Sequence, residues 1–273
     1  MTLVFSSLSR ALANCLHGKV IAWTLFPLAL LGVLAALLGW FYWSPALASL
    51  MAWLRSYDWF QVLAASLQST GQQWSLNLLD ASAAILLLLA VAALLIVLVL
   101  LVVSVVMSPQ LIQWVAQRRF AHLERKHGAS LLQSVVWAVG ATAMALAALV
   151  VSMPLWLIPP LVLVLPPLIW GWLTYRVMAF DALSEHASKE ERQTLFVRYR
   201  AQLLLMGVVC GLLSAAPSIV WASGVVFVIF AWILVPLAIW IYAFVLALSS
   251  LWFAHFCLGA LQQLRQERGQ LSL

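Results

Sequence analysis

Thirteen of the chain's 14 lysines and arginines stand in four short segments. These are Arg10 and Lys19; Arg118, Arg119, Arg125 and Lys126; Arg176, Lys189, Arg192, Arg198 and Arg200; and Arg265 and Arg268. Only Arg55 stands apart. Cations grouped this way can hold phosphates, and they can also mark which side of a membrane a loop occupies. Other chemistry is sparse. There are eight acidic residues, and no pair of them has the spacing of catalytic carboxylates. No GxSxG, HExxH, GxGxxG or Walker A loop occurs. His17, His122, His127 and His186 lie in polar segments without metal-ligand spacing. His255 falls within an apolar block, where an ionisable side chain invites a functional reading. Cys15, Cys210 and Cys257 form no CxxC pair and read as small apolar residues. The chain is therefore expected not to be an enzyme and to need no cofactor or metal.

The elements that must position these cations are apolar. Hydrophobic residues make up 66% of the chain and charged residues 8%, with a net charge of +6. A soluble domain averages about 45–50% apolar and about 25% charged residues. A globule of this size could not hide so much apolar side chain from water. The composition thus excludes a water-soluble domain, a disordered chain and a disulfide scaffold. Since the cations sit between apolar blocks, a nucleic-acid partner is not expected either. The expected class is an all-α integral membrane protein, treated as a single polytopic domain over residues 1–273.

Two long transmembrane helices are expected at 20–43 and 81–107. The first reaches about 36 Å at about 1.5 Å per residue, enough for a hydrocarbon core of about 30 Å. Trp40, Tyr42 and Trp43 mark its interface end. Ser44-Pro45 reads as a cap and first-turn proline opening a new helix. Residues 45–79 then read as short amphipathic helices, with Asp80 capping the next span. Ser108-Pro109 reads as the restart of a more polar helix through Lys126, ended by Gly128. Residues 1–18 carry no evident secretory signal. They read as an amphipathic interfacial helix with Leu3, Val4, Leu8, Leu12 and Leu16 near one face, stopping at Gly18.

Two further apolar blocks, 131–175 and 201–260, are interrupted by prolines. Pro154, Pro159, Pro160, Pro166 and Pro167 break the first; Pro217 and Pro236 break the second. An interior proline removes a backbone hydrogen bond, and in lipid the freed carbonyl needs protein or a wet cavity beside it. The positive-inside rule places all four basic segments, 108–130 and 176–200 among them, in the cytoplasm with both termini. Each broken block then begins and ends inside. Each is expected to be a proline-broken helical hairpin, re-entrant or short-spanning, of the kind that lines ion and solute sites. Ser188-Lys189-Glu190-Glu191 fits a capping box that opens a cytoplasmic helix.

Residues 159–192 read PPLVLVLPPLIWGWLTYRVMAFDALSEHASKEER. This stretch resembles the CysZ-like sulfate permease family, which shares a domain with the etoposide-induced membrane proteins. The likeness rests on the aromatic-rich helix, the Phe180-Asp181 pair and the polar segment after it. It extends to Lys19 with Pro27-Leu28, to Ser108-Pro109 with 110–126, and to Gly207 and Pro217. The resemblance implies two long spans, two hemi-penetrating helical pairs, cytoplasmic termini in the bacterial inner membrane, homo-oligomers and sulfate uptake. It also leads one to expect an acidic residue a turn or two after Pro109, where Gln117 stands beside Arg118.

A small oxyanion such as sulfate needs hydroxyls, helix N-terminal NH groups and one or two cations. The anion-binding candidates are Lys19, Ser108, Arg118, Arg119 and Arg176, which would also suit topology and membrane-lipid phosphates. Asp181 is a candidate for a structural ion pair with Arg176 or Arg119, and Gln117 is the departure at the family's acidic position. Gly207 and Gly211 form a GxxxG, a face for packing within the chain or for an oligomer contact. The expected function is a channel-like permease for a small oxyanion. The alternative is a non-transporting membrane scaffold or assembly factor that binds a partner through its cytoplasmic segments.

Overall fold

The computed structural model describes residues 2–58, 60–62, 65, 73–126, 128–157, 159–214 and 225–269. Among these there is no strand. The helices are α1 (Thr2–Cys15), α2 (Gly18–Arg55), α3 (Gln73–Arg119), α4 (Leu131–Ser152), α5 (Pro159–Ser184), α6 (Lys189–Arg198), α7 (Arg200–Ser214) and α8 (Val225–Glu267). A short 3-10 turn, Met153–Leu157, joins α4 to α5. Among the described residues, four helical segments are long and apolar enough to cross a membrane: Gly18–Arg55, Ala81–Leu100, Leu132–Leu155 and Ile233–Glu267. The chain forms two compact units, Met1–Leu25 with Val103–Leu273, and Phe26–Val102.

In the unit Phe26–Val102 the apolar side chains mostly face outward, as in Trp40 and Leu94. That is stable where lipid is the solvent. Leu54, Phe60 and Ala83 form a small buried cluster, with Leu47, Leu50 and Met51 packed against it.

The other unit is built on the second half of α8. Ala247, Leu251, Phe253, Ala254, Leu258 and Leu261 are all fully buried there. The helix α1 lies on this spine. Trp252 Nε1 donates to the Val4 carbonyl at 3.2 Å and to Ser7 Oγ at 3.2 Å. Asn14 Nδ2 donates to His255 Nε2 at 2.7 Å. The face of α1 that packs is therefore Val4, Ser7, Ala11 and Cys15, all buried, while Leu12 and Leu16 are exposed. The helix was expected; of its expected face Val4 packs and Leu3 and Leu8 are half-buried, but Leu12 and Leu16 do not pack. Ala11, at 0% exposure, lets two helix backbones approach closely, which a leucine stripe would prevent.

Several boundaries differ from the sequence reading. Ser44-Pro45 lies inside α2, and Ser108-Pro109 lies inside α3. Neither proline restarts a helix, because a helix loses only one hydrogen bond at proline and can run on through it. Asp80 was expected to precede a helix, but α3 starts earlier, at Gln73, and Asp80 falls within it. The polar end of α3 stops at Arg119, not at Lys126. Gly128 follows a stretch of turns and permits a close backbone contact instead of ending a helix, since a Cβ there would collide with the Ala187 carbonyl oxygen. The Ala129 amide fixes this approach by donating to the Ser184 carbonyl at 3.1 Å.

The block 131–175 folds back on itself. Trp137 of α4 stacks on Phe180 of α5 with ring centroids 4.9 Å apart, so the two helices run antiparallel. Pro154 sits in the 3-10 turn, and Pro159 and Pro160 open α5, where their missing donors cost nothing. Pro166 and Pro167, expected as breaks, lie inside α5, which runs on through them because each removes only one backbone hydrogen bond. In the second block α8 holds Pro236 and is bent at Phe230, whose backbone (φ −106°, ψ 17°) is not helical. Pro217 lies outside the described residues. The helices α5 and α7 pack through glycine: a Cβ on Gly207 would meet the Gly171 carbonyl oxygen, and one on Gly171 would meet the Val208 backbone.

The polar segments close over the end of this unit. Ser188 and Glu191 form the expected capping box at the start of α6. The Glu191 carboxylate also takes Arg265 Nε at 3.0 Å, Arg265 Nη2 at 3.1 Å and Lys126 Nζ at 3.1 Å. The Arg265 guanidinium completes its bonding on the carbonyls of Glu124 (3.0 Å) and His186 (2.6 Å).

Candidate functional site

The α3 helix ends in a polar stretch in which Gln110, Gln113 and Gln117 recur at i, i+3 and i+7. At about 3.6 residues per turn these three amides share one face. Lys19 and Trp23, four residues apart, share a face of α2's first turns. The two faces line a cleft of about 500 Å³, with Val20, Leu111 and Trp114 as its other walls. Lys19 is exposed, so its ammonium is free to meet a solute.

The cleft's walls are held from behind. Gln113 Nε2 donates to Glu185 Oε1 at 2.8 Å, which ties α3 to the end of α5. Trp114 meets the His17 ring edge-on, with centroids 5.5 Å apart. The Arg118 guanidinium lies 4.9 Å from the Trp114 ring centroid, at the cleft's margin. One ammonium, three primary amides, of which Gln113 already shares its nitrogen with Glu185, and a nearby guanidinium make a donor-rich surface. Such a set solvates an oxyanion through hydrogen bonds rather than by deep charge burial.

The structure separates the anion-binding candidates. Lys19 lines this cleft, and Arg118 stands beside it through Trp114. Ser108 faces another way: it is buried and accepts a 3.1 Å hydrogen bond from Ser250 Oγ of α8. Arg119 is exposed, within electrostatic reach of Arg10 and His255. Arg176 lines a second cleft, where its guanidinium lies 4.3 Å from the Trp137 ring centroid. Gln117 lines the first cleft with Lys19.

Asp181 and Arg176 form no ion pair among the described residues. Asp181 belongs to the polar segment beyond the apolar block, and burial raises its carboxyl to about 6. Glu191 goes the other way. Burial alone would raise it, but hydrogen bonds from Arg265, the Ser188 amide and Lys126, with the Arg265 charge, hold it at about 2. Gly207 sits against Gly171 inside the protein, and a Cβ on Gly211 would lie 3.7 Å from the Gly171 amide nitrogen, an ordinary contact. His255 bonds to Asn14. His127 lies outside the described residues. Among the described residues no group of three or more His, Cys, Asp or Glu could hold a metal.

Gln110, Gln113 and Trp23 are cleft residues that sequence reasoning passed over. Their signal was present as a three-amide face on a helix beside a basic segment. Neutral amides draw little attention when charges are being counted.

Comparison with known proteins adds the family. No curated protein and no solved structure matches the chain. The family model described as sulfate transporter CysZ/etoposide-induced protein 2.4 matches residues 7–223, well over half of the sequence. With its long apolar helices, the chain is a multi-pass membrane protein that belongs to the sulfate transporter CysZ/etoposide-induced protein 2.4 family.

Proposed function

We propose that this protein is a channel-like permease for a small oxyanion of the sulfate class in the bacterial inner membrane. In this reading both termini are cytoplasmic and the cleft of Lys19 is the anion's cytoplasmic binding station. The single observation that carries the reading is the convergence of Lys19 with the amides of Gln110, Gln113 and Gln117. One cation attracts a dianion without neutralising it, and amides replace part of its water shell. Binding of that kind stays weak enough to allow release, which conduction requires.

Gln117 supports the reading in this chain. A carboxylate at that position would oppose an incoming anion, whereas the amide offers two more donors. The α4–α5 pair serves as one proline-broken hairpin beside the path, dipping into the bilayer and returning. No part of the reading calls for catalysis, and the protein acts as a homo-oligomer.

The test is flux of radiolabelled sulfate into liposomes that hold the purified protein. Uptake above protein-free liposomes, reduced severalfold by Lys19→Gln, is the expected result. Folded protein that gives uptake equal to empty liposomes overturns the permease and leaves the scaffold. Orientation has its own test. A cysteine replacing Ser188 should resist an impermeant thiol reagent from the periplasm, and one replacing Ser69, outside the described residues, should react.

A further inference from the structure

The second cleft, of about 590 Å³, lies between α4, α5 and α6 and has a different build. Among the described residues three cations line it, Arg176, Lys189 and Arg192, and no acidic residue does. Both guanidiniums are stacked on rings. Arg176 lies 4.3 Å from the Trp137 centroid, and Arg192 lies 4.2 Å from the Phe180 centroid. Trp137 and Phe180 are themselves stacked, and Trp137 Nε1 is pinned to the Arg176 carbonyl at 3.1 Å. Stacking occupies the face of a guanidinium and leaves its N–H edge to be satisfied.

Those edges are incomplete. Arg192 is 8% exposed, and its Nη1 is buried with no hydrogen-bond partner among the described residues. The Arg176 Nε is in the same position. Buried donors on charged groups are rarely left open, and their natural acceptor is an oxyanion that takes two N–H groups at once. Gln133 and Gln193 add amide donors to the same cleft.

The rest of the wall says which anion. Leu132, Val136, Gly140, Ala141 and Met144 of α4 form it, and apolar lining predominates over polar. This α4 face continues onto exposed Val135, Val139 and Val150 in a segment long enough to cross the bilayer. Gly140 and Ala141 leave the wall low where a Leu would fill it. A free inorganic anion has no use for an apolar channel, whereas a phosphate that carries acyl chains needs one.

We infer that this cleft binds an anionic phospholipid, with its phosphate on Arg176, Arg192 and Lys189 and an acyl chain along the Gly140–Met144 stretch of α4. The site is separate from the Lys19 cleft, and its test does not depend on transport.

Binding of dioleoyl phosphatidylglycerol, dioleoyl phosphatidylcholine and inorganic phosphate to the purified full chain is compared by native mass spectrometry and competition. Phosphatidylglycerol should be retained in preference to phosphatidylcholine. Lys189 is exposed at the edge of the cleft, so Lys189→Gln should keep the fold and weaken phosphatidylglycerol by roughly fivefold. At Gly140 a new Cβ meets nothing within 4 Å, so Gly140→Leu should fold while obstructing the chain groove. It should weaken the lipid severalfold and leave phosphate binding unchanged. Equal retention of the two lipids overturns the inference. So does phosphatidylglycerol binding that Gly140→Leu does not alter, because the site would then hold a headgroup or free phosphate alone.

Discussion

Arg265 reaches both oxygens of the Glu191 carboxylate, Nε at 3.0 Å and Nη2 at 3.1 Å, with the two side chains 3% and 2% exposed. The pair joins the far end of α8 to the first turn of α6, and through Lys126 to the turns after α3. Breaking a buried pair from one side strands the other charge, at about 3–5 kcal/mol. Arg265→Met is therefore expected to lower thermal stability strongly. The double variant Glu191→Gln with Arg265→Met should recover part of the loss. Lys126 is 31% exposed, so Lys126→Gln should cost less than about 1 kcal/mol. Thermal unfolding of the four proteins in one detergent gives the ranking. A double variant no better than Arg265→Met would contradict the buried-pair account.

The same carboxylate sets a pH dependence. Its folded pKa of about 2 lies below the ordinary 4.5. A depressed acid stabilises the fold fully above its unfolded value and loses that contribution as pH falls through the folded one. The window is therefore about pH 4.5 down to about 2, and the amount at neutral pH is of order 3 kcal/mol. The stability gap between wild type and Glu191→Gln should be constant from pH 8 to 5 and narrow below pH 4.5. A gap unchanged at pH 3 would rule out this origin.

Some local signals in the sequence described local structure. The Ser188–Glu191 capping box and the presence of a first helix could be read from neighbouring residues. Prolines were less informative. Pro45 and Pro109 read as helix starts but lie within α2 and α3, because sequence alone does not separate a break from a helix that runs on. Long-range partners could not be read at all. Arg265 and Glu191 are far apart in the chain, and Asn14 meets His255 across most of its length. The candidate site was half legible: Lys19 stood out by charge, whereas the three glutamines became a surface only when α2 was placed beside them.

Glycine supplies a third prediction. Gly207 has no room for a Cβ, because the Gly171 carbonyl oxygen occupies that space, whereas Gly32 has open space around it. Both lie inside helices, where alanine is the better helix former by about 1 kcal/mol. Gly32→Ala should thus be neutral or stabilising. Gly207→Ala should destabilise by about 1–3 kcal/mol through overpacking of α5 against α7. Comparing the two unfolding midpoints separates packing from propensity, and equal effects would refute the close contact.

Asp181 predicts the opposite pH behaviour from Glu191. Burial raises its folded pKa to about 6 from 3.8, so the fold prefers the neutral acid. That preference is fully felt below pH 3.8 and is lost as pH rises through about 6. At pH 7.5 the ionised group costs about 1–2 kcal/mol, given that the side chain is only partly shielded. Asp181→Asn should accordingly raise stability at pH 7.5 by about that amount and have little effect at pH 4. A variant less stable than wild type at pH 7.5 would show that the carboxylate has a favourable partner.

The Lys19 cleft gives a prediction that separates electrostatics from shape. Gln117 and Glu have nearly the same size, so Gln117→Glu alters charge in the cleft with little change of volume. A carboxylate there can pair with Lys19 and cancel the attraction an oxyanion would feel. Sulfate uptake by liposomes holding Gln117→Glu should fall severalfold, with most of the loss recovered at high external sulfate, because capture is impaired and not the path itself. Gln117→Met removes the donors without adding charge and should reduce uptake less. If both variants lower uptake equally, donor geometry matters and the sign of the cleft does not. If Gln117→Glu raises uptake, the acid is an asset and the cation of Lys19 needs a counter-charge to work.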